Sequence, residues 1–451
     1  MKSAVMTGDA EWSDLTWRRK IEILGARDGP TLATDAGGEV DSICQPGELT
    51  DKGRETTLSL GTRTRGLYVD QLGFLPTALD ANTMSALRLR STPIPRALES
   101  VQQTFTGLYP ASSRAQGLAP PTVFTRAFSD ETLFPNEGGC KRFAELARAF
   151  ADRTALKWKG SKELEYLNKK IGKYMPSESP VIAVDSHPRL SGIMDTINST
   201  LAHGPKTKLP SDFYDPKVLA AVDRICTEEW FVGYTESNEY RKLGIGGLVG
   251  DITQIMVQSA TGTGEGQVKL GMAGCHDTTL AATLTALGAF GGCGANETWN
   301  NWPPYTSSMA FELFKHKTAS SSTPATSPSG TVWPSQQRTW WQSLFGASTP
   351  SSAAAAASTR QPLQEMSAAE KSKLEGYYVR LRYNDRPMTI PGCKAAGKHL
   401  EGDESFCTLE AFKEVADSFT PRNWKEECKQ NLGALTVPER RELPFGVMEG
   451  E

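Results

Sequence analysis

The order of apolar and polar positions predicts an α/β chain. Apolar residues recur at helical spacing after Thr50, which suits a helix N-cap, and this pattern stops before Gly73. Residues 85–90 (SALRLR) then alternate as a β-strand does, and a second helical pattern follows from about Pro95. A helix, a strand and a helix in this order favour a parallel sheet with helices on its faces.

The middle of the chain has a different pattern. Between about 116 and 245 helical periodicity dominates, with turns that contain proline or glycine and few strand signals. We therefore expect a mainly helical cap inserted into the α/β core. The α/β pattern resumes with a helix near 246–260, and strands are predicted at 309–314 and 377–383.

A compositionally biased stretch separates the last two strands. Residues 317–370 are rich in Ser, Thr, Pro, Ala and Gln, so they bury too little apolar surface to offset the entropy of ordering, and we predict a disordered insertion. Trp340 and Trp341 interrupt the stretch. They could dock on a partner or a membrane surface, although a mobile loop with a few apolar side chains is the favoured interpretation.

These patterns predict a fold class and five segments. The fold class is α/β, with a mostly parallel sheet and an inserted helical cap. The segments are the first part of the core (1–115), the cap (116–245), the second part of the core (246–316), the insertion (317–370) and the C-terminal part of the core (371–451).

Composition excludes some classes of function. The 451 residues include 49 basic and 52 acidic side chains, a net charge of −3, so no broad basic surface for nucleic acid is expected. No apolar run approaches the roughly 18 residues that span a bilayer, and the polar N-terminus is no secretory signal. The compartment stays open, with an intracellular location (cytoplasmic or mitochondrial) preferred.

Eight cysteines are too few for a disulfide-dense scaffold, and none forms a CxxC pair, so a zinc site is not expected. Cys393 and Cys407 flank a glycine-containing loop. A disulfide between them and two free thiols are equally compatible with the sequence.

The most informative motif is His276-Asp277. It follows the short apolar run 267–270 (QVKL) and precedes a helical pattern that ends at Gly288, which predicts a strand, a tight loop and a helix. Free N–H groups at a helix start favour an anion, and open α/β sheets bind ligands at the carboxyl ends of their strands. The pair therefore indicates phosphate chemistry.

Arg90 is a candidate phosphate ligand. It lies at the end of the predicted strand 85–90 and is followed by Ser-Thr, and a planar, permanently charged guanidinium matches phosphate oxygens. By itself, Arg90 is equally compatible with a surface arginine at a strand end. Together with His276 as a second phosphate ligand and Asp277 as a proton donor, it forms a plausible phosphoryl-transfer site.

Three ordered motifs resemble the signatures of the histidine acid phosphatases, a branch of the histidine phosphatase superfamily. They are residues 49–54 (LTDKGR), 89–92 (LRST) with Arg96 and Ser100, and 276–280 (HDTTL). Residues 68–76 (YVDQLGFLP) and 99–102 (ESVQ) are most similar to the lysophosphatidic-acid phosphatase type. The similarity covers most of the chain except the biased insertion.

The resemblance implies a three-layer α/β core with a helical cap and hydrolysis of phosphate monoesters without a cofactor or metal. It assigns Arg90 and His276 to the phosphate and Asp277 to protonation of the leaving group. The implied partner is a small phosphate monoester, with a lysophospholipid among the candidates. The substrate itself has no readable sequence signal.

One part of the family pattern is missing. Family members carry Arg-His-Gly, followed by a further Arg and Pro, ahead of the segment that resembles 49–54, and that histidine is the nucleophile. The five histidines here follow Ser, Ala, Cys, Lys and Lys, so Arg-His does not occur. The strand that carries the motif is expected inside the sheet, and its loss would leave buried backbone groups unpaired at about 1–3 kcal/mol each.

This gap favours a sequence that begins downstream of the natural start, through a fragment or an incorrect gene model, and therefore little turnover as written. The alternative is a pseudophosphatase that binds phosphate or a phospholipid without catalysis. A mutase of the same superfamily is less favoured because the helical cap resembles the acid-phosphatase branch. Residues 244–247 (GIGG) do not fit GxGxxG and are interpreted as glycines at a helix start.

Overall fold

The computed structural model describes residues 47–204, 209–263, 268–289, 302–316 and 360–448, together with the backbone of four short strands before residue 40. The predicted insertion therefore lies outside the described residues up to residue 359, including Trp340 and Trp341. The described residues contain no helix of the length and apolarity that crossing a membrane requires.

Helices and strands alternate in only part of the described chain. The strands are β1 (Glu22–Leu24), β2 (Pro30–Leu32), β3 (Thr34–Asp35), β4 (Gly38–Glu39), β5 (Leu87–Ser91), β6 (Val123–Phe124), β7 (Leu270–Gly274), β8 (Met309–Lys315), β9 (Tyr377–Tyr383), β10 (Arg386–Met388), β11 (His399–Leu400) and β12 (Asp403–Thr408). The α-helices are α1 (Asp51–Arg65), α2 (Pro95–Leu108), α3 (Lys141–Trp158), α4 (Lys162–Ile171), α5 (Leu190–His203), α6 (Pro216–Glu236), α7 (Asn238–Arg241), α8 (Gly247–Thr261), α9 (Asp277–Ala286), α10 (Ala368–Ser372), α11 (Leu409–Asp417) and α12 (Trp424–Glu427). Helices and strands alternate from α1 to α3 of the described chain, six helices then follow one another from α3 to α8, and the strands β9 to β12 lie close together near the C-terminus.

The chain divides into two compact units. Unit 1 comprises Met1–Val232, Glu265–Ala282 and Asn300–Ser307, and unit 2 comprises Gly233–Gly264, Thr283–Trp299 and Ser308–Glu451. The candidate site residues all belong to unit 1.

Unit 1 contains a parallel sheet with the order β6-β5-β7. Arg90 of β5 is opposite Ala273 of β7 and Phe124 of β6, so the carboxyl ends of the three strands share one edge. Thr92 extends this pairing because its N–H donates to the carbonyl oxygen of Gly274 at 3.1 Å. Among the described strands, β7 is an edge strand of this sheet.

Helices α1 and α2 pack closely in unit 1. The Thr50 hydroxyl accepts from the Gly53 N–H and begins α1, as the sequence predicts. A Cβ added at Gly61 would lie 2.0 Å from the carbonyl oxygen of Thr104, and one at Gly107 would lie 2.1 Å from that of Leu58. The absence of side chains at both glycines is thus what allows the two backbones to touch.

Helices α3 to α6 form a second apolar core in unit 1. Its fully buried members include Leu167, Ile171, Leu190, Val218 and Ile225, which recur at helical spacing on their own helices. These helices match the periodicity that predicts a helical cap. The division into core and cap remains our interpretation of the sequence pattern.

Unit 2 contains an antiparallel sheet with the order β10-β9-β12-β11, and β8 pairs with β9. Strand β9 has the predicted bounds, and β8 extends one residue beyond the predicted 309–314.

Cys393 and Cys407 form a disulfide, which resolves the alternative that the sequence left open. Gly246 ends a π-turn before α8, where a Cβ would lie 2.1 Å from the carbonyl oxygen of Phe419, so residues 244–247 serve helix packing.

The α/β class with a parallel sheet and helices is confirmed, but several details differ from the expectations. The described strands of unit 2 pair antiparallel, whereas a mostly parallel sheet is expected from the sequence. Strand β7 occupies residues 270–274 instead of 267–270, because pairing with β5 compensates for its Gly-Met-Ala-Gly composition. Residues 123–124, within the predicted cap, form a strand too short for periodicity to show.

The end of the predicted insertion is also ordered. The Arg360 guanidinium donates to Gly247 and Asp251, and helix α10 begins with a capping box between Ser367 and Glu370. These specific polar contacts fix residues 360–370 where the composition alone predicts disorder.

Candidate functional site at the strand ends of unit 1

His276 and Asp277 lie where β7 passes into α9. The helix starts at Asp277, whose Oδ1 accepts the N–H of Thr278 at 2.8 Å, so an acidic side chain occupies the positive end of the helix dipole. The backbone N–H of His276 donates to the hydroxyl of Thr279 at 3.3 Å. The predicted strand, loop and helix are therefore present, with a shorter loop than the sequence suggests.

A hydrogen bond joins the ends of β5 and β7 through side chains. The imidazole Nε2 of His276 and the hydroxyl of Thr92 are 3.1 Å apart, and Thr92 is fully buried. The ring of Phe134 meets the imidazole edge-on, with centroids 5.7 Å apart. The imidazole is thus held in place from two sides.

Arg90 reaches the same sheet edge but is bound to a buried carboxylate. Its guanidinium forms an ion pair with Glu131, whose side chain is fully buried. The same oxygen of Glu131 accepts the N–H groups of Thr132 and Leu133, each at 2.8 Å, while its Oε2 has no hydrogen-bond partner among the described residues. Glu131 therefore orients Arg90 and offsets part of its positive charge.

Arg96, near the start of α2, is the cation that acts on His276. Burial is the main cause that lowers the pKa of His276 to about 4, and the positive charge of Arg96 lowers it further, while Asp277 opposes both. The imidazole is consequently neutral above about pH 5. It can exchange hydrogen bonds with an anion but adds no positive charge.

Two more ionisable side chains are electrostatically coupled to Asp277. Burial raises the pKa of the Asp195 carboxyl, and the negative charge of Asp277 raises it further. Desolvation of its hydroxyl group raises the pKa of Tyr305, although the residue as a whole is exposed, and the charges of Asp195 and Asp277 raise it further. Arg96 opposes both shifts, so these side chains form one electrostatically coupled group.

Trp302 binds the second oxygen of Asp277. Its indole Nε1–H donates to Oδ2 at 2.7 Å, and its backbone N–H donates to Asp223 at 3.0 Å. With Thr278 on one oxygen and Trp302 on the other, the Asp277 carboxyl has a defined orientation. Each carboxylate oxygen keeps a further lone pair that can accept a hydrogen bond.

The neighbouring Cys275 is not a competing nucleophile. Burial raises the pKa of its thiol to about 11, and the hydrogen bond with Thr279 offsets only part of this rise. Since the thiolate is the reactive form, Cys275 is unreactive near neutral pH.

No cluster of three or more His, Cys, Asp or Glu that could hold a metal exists within the described part of the chain.

The structure thus brings His276 and Asp277 together with Thr92 and places Arg90 at the same strand edge. The sequence analysis did not assign a role to Glu131, Asp195, Trp302 or Tyr305, and it quoted Arg96 only as part of a motif. No local pattern distinguishes them, because they reach the site from segments up to 180 residues away from His276.

Comparison with known proteins agrees with the motifs. A model described as the histidine phosphatase superfamily (branch 2) matches residues 8–327. A probable acid phosphatase of Schizosaccharomyces pombe is 35% identical over 429 residues, which cover 94% of this chain and 85% of that protein. Lysophosphatidic acid phosphatase type 6 of Homo sapiens is 23% identical over 275 residues, covering 60% of this chain and 57% of that protein.

A solved structure supports the fold. The phytase of Hafnia alvei in complex with tartrate aligns with a TM-score of 0.52 at 12% identity, over 86% of this chain and 90% of that one. At this identity the likeness concerns architecture alone. Taken with the match over residues 8–327 and the relative at 35% identity, it leads to one conclusion: this chain belongs to branch 2 of the histidine phosphatase superfamily.

Proposed function

We propose that the site is a phosphomonoesterase site of the acid-phosphatase type. Arg90 and His276 bind the phosphate group, and Asp277 protonates the leaving-group oxygen. The observation that carries the proposal is the Thr92–His276 hydrogen bond, because it joins two strand ends and places the imidazole beside the start of α9. The names of the acid phosphatase relatives support the same activity.

The side chains have complementary roles in this proposal. The Arg90 guanidinium provides the permanent positive charge that equatorial phosphate oxygens require. The neutral His276 provides a hydrogen bond at a fixed position. Asp277 gives its proton to the ester oxygen as the phosphorus–oxygen bond breaks and the phosphoryl group passes to a nucleophile. It later removes a proton from the water that displaces this nucleophile from phosphorus.

The nucleophile of the family mechanism is a histidine that follows an arginine. None of the five histidines of this chain follows an arginine. Two of the others are engaged elsewhere: His203 Nε2 is 2.9 Å from the Thr50 hydroxyl, and His399 Nδ1 is 3.0 Å from the carbonyl oxygen of Cys393. We therefore expect the 451-residue chain to bind phosphate and to hydrolyse esters slowly or not at all.

The absence of a histidine that follows an arginine also favours a second candidate function, that of a non-catalytic protein that binds phosphate or a phospholipid. It would use Arg90 and His276 without a phosphorylated intermediate. A lysophospholipid is a candidate ligand in either case, since several relatives are named lysophosphatidic acid phosphatase type 6.

Calorimetric titration with orthophosphate tests the binding proposal. We expect His276→Ala and Arg90→Ala each to weaken binding strongly, whereas His316→Ala, at the end of β8 in unit 2, leaves it unchanged. Hydrolysis of 4-nitrophenyl phosphate then separates the two functions. Turnover that Asp277→Asn abolishes identifies an enzyme, and phosphate binding without turnover identifies a binding protein. Turnover that His276→Ala leaves intact would contradict both.

A further inference from the structure

Trp302 forms a rigid aromatic wall beside Asp277. Its ring meets Trp230 edge-on with centroids 5.9 Å apart and contacts Phe231 at 5.1 Å, both on α6. The same helix provides Asp223, which accepts the backbone N–H of Trp302. Together with the Nε1–H bond to Asp277, these contacts hold the indole ring in one place.

The position of this ring has a consequence for substrate binding, if Asp277 is the proton donor of the proposed function. A general acid must come within about 2.6–3.2 Å of the oxygen that it protonates. The Trp302 Nε1 is only 2.7 Å from the Asp277 carboxyl. The group attached to the departing oxygen is therefore next to the indole.

Tyr305 extends the wall towards solvent. It follows Trp302 after two prolines, is 61% exposed and is electrostatically coupled to Asp277. Its ring is thus available to a ligand, whereas Trp302 is half-buried. Trp302 is thus the more buried, and Tyr305 the more exposed, of two aromatic residues coupled to Asp277.

The charges near this wall disfavour a strongly anionic leaving group. The negative charge of Asp277 raises the pKa of Asp195, and the positive charge of Arg96 lowers the pKa of both Asp195 and His276. Trp302 and Tyr305 carry no positive charge. An additional phosphate group placed against their rings would therefore lose hydration without gaining an ion pair from them.

We propose that Trp302 and Tyr305 form a leaving-group subsite that selects phosphate monoesters of uncharged aromatic or flat apolar alcohols over polyphosphorylated polyols. This inference rests on the proposed function, in particular on the phosphate position between Arg90 and His276. Stacking and edge-to-face contacts between aromatic groups provide the selectivity.

Binding measurements test the subsite without requiring turnover. Isothermal titration of the full chain compares phenyl phosphate, orthophosphate and inositol hexakisphosphate. We expect phenyl phosphate to bind about fivefold more tightly than orthophosphate, as one aromatic contact predicts. Inositol hexakisphosphate should bind more weakly than phenyl phosphate.

The variants separate the aromatic surface from the hydrogen bond. Trp302→Leu should abolish the preference for phenyl phosphate. Trp302→Phe should retain most of it, because an aromatic ring remains although the N–H and part of the ring area are lost. Tyr305→Ala should reduce the preference in part. Tyr174→Leu is the matched control, because Tyr174 is a comparably exposed aromatic residue that packs on Phe213.

The outcomes distinguish this inference from the proposed function. If the native chain binds no orthophosphate, or if His276→Ala binds it normally, the proposed function fails. If orthophosphate binds but phenyl phosphate binds no better, or if folded Trp302→Leu keeps the preference, only the subsite is refuted. Tighter binding of inositol hexakisphosphate than of phenyl phosphate also refutes it, and this comparison needs no variant.

Discussion

The low pKa of His276 predicts a specific loss of stability in acid. Burial and the charge of Arg96 lower this pKa from 6.5 to about 4, so the unfolded chain binds a proton at His276 more readily than the folded chain does. The free energy of unfolding should therefore fall as the pH decreases from about 6.5 to about 4. Each unit by which the folded-state pKa differs from the unfolded-state pKa corresponds to about 1.4 kcal/mol, so His276 contributes about 3 kcal/mol to this fall.

His276→Gln isolates the effect because glutamine keeps a polar side chain that does not titrate. Denaturant unfolding at several pH values should show the native chain losing about 3 kcal/mol relative to the variant between pH 6.5 and 4. Above pH 6.5 the difference in the free energy of unfolding between the native chain and His276→Gln should be constant. An NMR titration of the histidine ring resonances identifies His276 as the signal missing from the variant, with a midpoint near 4.

The electrostatic causes can be tested in the same titration. Arg96→Gln removes a charge that lowers the pKa of His276, so the midpoint should rise, and Asp277→Asn removes the opposing charge, so it should fall. A His276 midpoint near 6.5 in the native chain, or equal pH dependence of unfolding in the native chain and His276→Gln, would refute this account of the site.

Three further results are expected from the packing and ion pairs. Gly61→Ala should lower the free energy of unfolding by about 3 kcal/mol, because its Cβ would overlap the backbone of Thr104. The control Gly66→Ala has open space around its Cβ and should be neutral or slightly stabilising, so equal changes in the melting temperature of the two variants would contradict this account. Glu131→Ala should cost about 3 kcal/mol in denaturant unfolding, because it leaves the Arg90 guanidinium without its buried partner, and an unchanged midpoint would show that the ion pair is not needed. Replacement of both Cys393 and Cys407 by serine should lower the melting temperature, because it removes their disulfide; calorimetry of the native chain and the variant measures this change, and equal melting temperatures would contradict it.

Local sequence patterns predicted elements whose own residues suffice to define them. The bounds of β9 follow from the alternation of apolar and polar positions over seven residues. For α1 the sequence predicts the start, because Thr50 caps it, but not the end at Arg65. The predicted range of β7 differs from the observed one because Gly-Met-Ala-Gly shows no alternation of apolar and polar residues. The pairing of β7 with β5 decides where the strand begins and ends. The antiparallel pairing in unit 2 likewise depends on partners that are distant in the chain.

The sequence by itself determined the family of this protein, the placement of His276 and Asp277 between a strand and a helix, and Arg90 near a strand end. These features depend on residue type and short spacing, which the linear order contains. Only the tertiary structure decided that Glu131 holds Arg90, that Arg96 acts on His276 and that Trp302 orients Asp277. Contacts of this kind join segments 25 or more residues apart, and the strength of each interaction depends on burial, which is a property of the folded chain.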